Sequence, residues 1–144
     1  MHFSVKLASI CLLTFLFGAG CAEKRRVGEA EILGAWENIM LLNHRYGKLY
    51  HDRMMLSKMR GQLVAENYFG WFSCKLNLSG DSLTMRQGCM VYIMPISLYQ
   101  GIDSSDTLVI GAFGKFTRIS EDDFVKDRKT FIDDHVAKTA LMNK

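Results

Sequence analysis

Few side chains in this 144-residue chain are suited to chemistry: beyond residue 22 there are three histidines, His44, His51 and His135, and two cysteines, Cys74 and Cys89. Each histidine stands without a second histidine, a cysteine or a carboxylate at the spacing that a metal ion requires. His44 falls in a polar turn and His135 on an amphipathic helix, where an imidazole is simply solvated. No G-x-S-x-G, phosphate-binding loop or H-E-x-x-H occurs. The adjacent acids Asp122 and Asp123, like Asp133 and Asp134, do not share a helix face and so cannot work as an acid and base pair. The sequence therefore leads to no catalytic residue, no metal and no cofactor, and points away from an enzyme toward a binding role.

The two cysteines offer a different chemistry, that of a covalent staple. They bracket CKLNLSGDSLTMRQGC, residues 74–89, in which two short strands flank the turn signal Ser79-Gly80-Asp81-Ser82. A turn centred between Asp81 and Ser82 sets Cys74 opposite Cys89. Leu76, Leu78, Met85 and Val91 then share the face of both sulfurs, and Lys75, Asn77 and Arg86 take the other. A disulfide there restricts the unfolded chain by about 3 kcal/mol on the loop-entropy view. The pair lacks C-x-x-C spacing, so its expected role is structural and not redox.

The elements that position these residues are short apolar stretches separated by Gly, Asn, Asp and Ser. Strands are predicted over Ile32–Leu42, Lys48–Lys58, Leu63–Phe69, Trp71–Leu78, Leu83–Gln87, Met90–Leu98, Thr107–Ile110 and Lys115–Ile119. So many sequential strands predict a mainly β fold, a small antiparallel up-and-down barrel. Ser120 followed by Glu121, Asp122 and Asp123 then caps a C-terminal α-helix. Its apolar stripe of Phe124, Phe131, Ile132, Val136 and Ala140 needs a surface. YFGWF (68–72) and MVYIM (90–94), apolar on both strand faces, are expected to supply it.

The amino terminus answers a separate question, that of location. Lys6 precedes an apolar run from Leu7 to Phe17, which ends in Gly18, Ala19 and Gly20, the pattern of a secretory signal peptide. The cysteine that follows, in LFGAGCAEKRR (16–26), resembles a bacterial lipobox. That resemblance implies that Cys21 is acylated and becomes the first mature residue, since two or more acyl chains anchor a protein durably. It divides the chain into a leader (1–20), a lipidated terminus and tether (21–30), a barrel (31–120) and a helix (121–144). Ala22 in place of Asp after the cysteine implies the periplasmic face of the outer membrane. The formal net charge of +3 is too balanced for a nucleic-acid partner. Lys24, Arg25 and Arg26 read as a solvated tether.

A second resemblance lies in ILGAWENI (32–39), with its Gly34-x-Trp36 pair, and in KFTRIS, which carries Arg118 in the last strand. Together they resemble the opening and closing signatures of the lipocalin, or calycin, fold. The GDSL turn and SSDTLVI are similar to the short lipocalin-like domains of bacterial lipoproteins. The resemblance spans Ile32–Ile119. It implies that Trp36 closes one end of the barrel, with the Arg118 guanidinium packed over its indole.

Binding is the function these features favour. Met40, Met54, Met55, Met59, Met85, Met90 and Met94 fall on predicted strands, where flexible thioethers fill a core or line an adaptable apolar cavity. Trp71, Met85, Tyr92 and Met94 are the candidate contacts to a small apolar ligand such as a fatty acid or another envelope lipid. The alternative is a solid barrel that acts through its surface on a protein, either an envelope assembly partner or an enzyme that it inhibits. In both cases the N-terminal lipid makes the membrane a further partner.

Overall fold

The computed structural model describes residues 22–45, 48–67, 73–101 and 105–142, and within them a strand forms at each of the eight predicted places, Tyr68, Phe69, Trp71 and Phe72 lying outside the described residues. The strands are β2 (Gly34–Arg45), β3 (Lys48–Met59), β4 (Gln62–Asn67), β5 (Ser73–Ser79), β6 (Ser82–Gln87), β7 (Met90–Gln100), β8 (Asp106–Ile110) and β9 (Gly114–Ile119). Each pairs antiparallel with its sequence neighbour, and β9 returns to β2, with Trp36 opposite Arg118. The result is a closed eight-stranded up-and-down barrel, which leaves no long unpaired edge. Alternation decides which side chains go inside: Trp36, Leu56, Leu63, Leu76, Leu83, Ile96, Leu98 and Leu108 are all buried.

Two further elements flank the ring. The segment expected as a free tether forms β1 (Glu23–Arg25), paired with the last residues of β7 from Leu98 to Gln100. Ion pairs from Lys24 to Asp81 and from Arg25 to Asp106 fasten it. A single turn of helix, α1 (Glu29–Ile32), then leads into β2 and places Ile32 in the core. The larger apolar core runs from Val27 to Phe116 and the smaller from Ala35 to Phe131.

The C-terminal helix, α2 (Glu121–Met142), is capped by Ser120, whose Oγ accepts from the Asp123 amide at 3.0 Å. It packs on the outer face of β2 and β3, where Phe124 and Phe131 meet Ala35, Tyr50, Met55 and Ile119. MVYIM does not receive it, and YFGWF lies outside the described residues. The buried seam is also narrower than the expected stripe, since Ile132 and Val136 are exposed. Polar ties set the helix position instead: Asp127 pairs with Arg53, and Asp134 accepts from Lys48 and Tyr50 at 2.8 and 2.6 Å.

The cysteine register is corrected. The β5–β6 turn centres one residue earlier than expected, with Ser79 opposite Ser82 and Lys75 opposite Arg86. Cys89 therefore lies beyond the strand, in the Gly88–Cys89 turn, where Gly88 adopts φ 59°. Cys74 is buried, Cys89 is exposed, and both thiols are free. A shift of two residues preserves the face of every side chain. Leu76 and Met85 thus still point inward, and Lys75, Asn77 and Arg86 outward. Val91 is the exception: the turn sets it opposite Arg86, on the outside.

Candidate functional site

The two ends of the barrel differ. At the closed end Trp36 is fully buried and its indole N–H donates to the Ile32 carbonyl at 2.9 Å. The Arg118 guanidinium lies 4.2 Å from the indole centroid and donates to the carbonyls of Leu33 and Glu31 and to Asp106. Gly34 makes room for this contact. It has φ 118°, and a Cβ there would approach Arg118 Nη1 to 3.0 Å. One cation thereby joins the last strand, the entry to the first strand and the indole that seals the floor.

Among the described residues the other end is open. Above the plug lies a cavity of about 240 Å³, walled by Met54, Leu56, Leu76, Leu83, Met85, Met94 and Phe116. Its polar lining residues are Asp52, Arg53, Asn67 and Cys74 with its thiol. Burial raises the carboxyl of Asp52 above its ordinary value, and a hydrogen bond with Asn38 partly offsets this. Burial likewise raises the Cys74 thiol, which disfavours a reactive thiolate. The carboxamide oxygen of Asn67 is buried without a hydrogen-bond partner among the described residues. A buried acceptor of that kind suits a donor brought by an occupant.

Local irregularity shapes the mouth. Between Glu37, opposite Arg53, and Leu42, opposite His51, four residues of β2 face the single residue Asp52. Asn38 organises this bulge: its amide donates to the Phe113 carbonyl, and its oxygen accepts from the Met40 amide, both at 3.0 Å. The bulge turns Ile39, Met40 and Leu41 out to solvent. Beyond it, residues 42–45 and 48–51 pair with each other among the described residues. The tip of the β6–β7 hairpin is similar, because β7 pairs with β8 only from Ile96 onward.

Of the predicted ligand contacts, Met85 and Met94 line the cavity. Tyr92 sits at the rim, 39% exposed, and its hydroxyl donates to the Met90 sulfur at 3.0 Å. Trp71 and the acylation candidate Cys21 lie outside the described residues. Asn38, Asp52, Asn67 and Phe113 are site residues that sequence reasoning missed. Alternation held the signal for two of them: counting by twos from Trp36 reaches Asn38, and from Met54 reaches Asp52, so each puts a polar group on an inward face. Among the described residues no group of three His, Cys, Asp or Glu could hold a metal ion. No described helix is long and apolar enough to cross a membrane.

Comparison of the chain with protein-family models, with curated proteins and with solved structures finds no match to any of them.

Proposed function

We propose that this chain is a lipid-anchored binding barrel of the cell envelope that holds a small apolar molecule through its open end. The observation that carries the reading is the apolar cavity of about 240 Å³ between the Trp36 plug and the mouth. An apolar cavity of roughly 150 Å³ already accepts benzene, so this one suits a single ring or a short run of methylenes. A longer chain would extend through the mouth past Phe113 and Tyr92. The protonation-prone Asp52 and the unsatisfied Asn67 oxygen would meet a hydroxyl or amide on such a ligand. The leader, and the resemblance of residues 16–26 to a lipobox, support acylation at Cys21 and the periplasmic face of the outer membrane. The Gly34, Trp36 and Arg118 arrangement supports a likeness to lipocalins.

Native mass spectrometry of the chain from Ala22, purified from the envelope fraction, tests the binding reading. An extra mass of a few hundred daltons that is lost on denaturation is the expected result. A bare protein that also fails to bind fatty acids and single-ring probes would overturn it.

A further inference from the structure

The cations on the outer wall of the open end are arranged against their own electrostatics. Lys75 and Arg86 are directly opposite each other on β5 and β6, both exposed. Like charges in that position destabilise a sheet. Neither has an acidic partner among the described residues, nor does Lys115 at the start of β9. Glu66, on neighbouring β4, is engaged with Arg128. Lys75 and Arg86 line an outer groove whose other wall is Val91 and Ile93, and Ile93 is 72% exposed. Across the mouth the bulge presents Ile39, Met40 and Leu41, with Met40 78% exposed.

We propose that the open end of the barrel docks on an anionic lipid surface. Exposed aliphatic side chains on two hairpins, with unpaired cations beside them, match a bilayer in both layers: apolar side chains enter the acyl boundary while Lys and Arg meet the headgroups. Charge complementarity favours this occupant over a second copy of the chain, because two such ends would bring Lys75 and Arg86 against their own likeness. The docking surface does not depend on what the cavity holds.

The test is sedimentation of the chain from Ala22 with vesicles of mixed phosphatidylglycerol and phosphatidylcholine, beside pure phosphatidylcholine. Binding is expected only with the anionic lipid. It should fall when salt is raised from about 0.1 M to 1 M, which shortens the screening length from about 10 to 3 Å. K75Q/R86Q should bind about thirty-fold more weakly, two headgroup contacts having been removed. Its urea midpoint should hold or rise, because the like-charge pair is gone. I93N should also lose binding while it keeps its fold. Equal binding to neutral vesicles, or unchanged binding by K75Q/R86Q, would overturn the proposal. So would a chain that ignores vesicles and dimerises through this end. A chain that docks yet carries no ligand would sink only the cavity reading.

Discussion

Met85→Trp asks whether the barrel is hollow, and the sign of its effect gives the answer. Met85 lies on β6 opposite Leu76 and Tyr92, with its side chain in the cavity wall. Trp in its place adds about 60 Å³ of side chain, a quarter of the space available, and at about 24 cal/mol per Å³ of void filled this stabilises the empty protein by about 1.4 kcal/mol. In a barrel already filled, the same change would overpack the core and cost about 1–3 kcal/mol. Urea denaturation of the ligand-free chain separates the two outcomes. The extra mass expected in native spectra should decline in parallel. A variant destabilised by 1 kcal/mol or more, with ligand retention unchanged, would refute the cavity.

Arg118→Met should cost about 2–3 kcal/mol in chemical denaturation, because the cation over Trp36 and its donors to Leu33 and Glu31 leave together; a loss below about 0.5 kcal/mol would mean that the plug holds without it. Asp52→Asn tests the raised carboxyl. Its folded-state value lies above the ordinary 3.8, so the stability it contributes is complete below that value and is lost as pH rises through the folded value. The variant should be the more stable at neutral pH, and the gap should close in acid. Asp134→Asn runs the other way, because Lys48 and then Tyr50 hold the Asp134 carboxylate below 3.8. Wild type should exceed that variant above this value and merge with it as pH falls through the lowered one. Cys21→Ser should abolish incorporation of labelled palmitate; labelling that persists would place the acyl chain elsewhere.

Eight strands were legible as apolar stretches between turn residues, most of them with period-two alternation, and the barrel followed from their number and order. What escaped was anything set by the turn itself. The centre of the Gly80–Asp81 turn moved the cysteine pairing by two residues without altering a single face. The Gly88–Cys89 turn reset the parity of β7 and sent Val91 outward. β1 was invisible because Glu23, Lys24 and Arg25 are all exposed, and hydrogen bonds to β7 hold them without an apolar pattern. The helix was legible and its berth was not: Arg53 and Lys48 hold it by ion pairs and Tyr50 by a hydrogen bond, and no periodicity in α2 reports on them. At the site, thioether content pointed to Met85 and Met94, which line the cavity. The bulge at Asn38 was hidden because ENIMLLN reads as a plain strand until register is known.

β1 runs alongside the final residues of β7, so the chain leaves the barrel at the end that Trp36 seals. Only Ala22 separates Cys21 from that paired strand, so an acyl group on Cys21 would have almost no slack from the barrel floor. A barrel fastened in this way would stand upright on its bilayer with the mouth pointing outward, and could not bend back to the lipid that carries it. Anchor and mouth would then address two different surfaces. An acylated chain would act as a short strut between them, able to draw vesicles together, whereas the chain from Ala22 would only coat them.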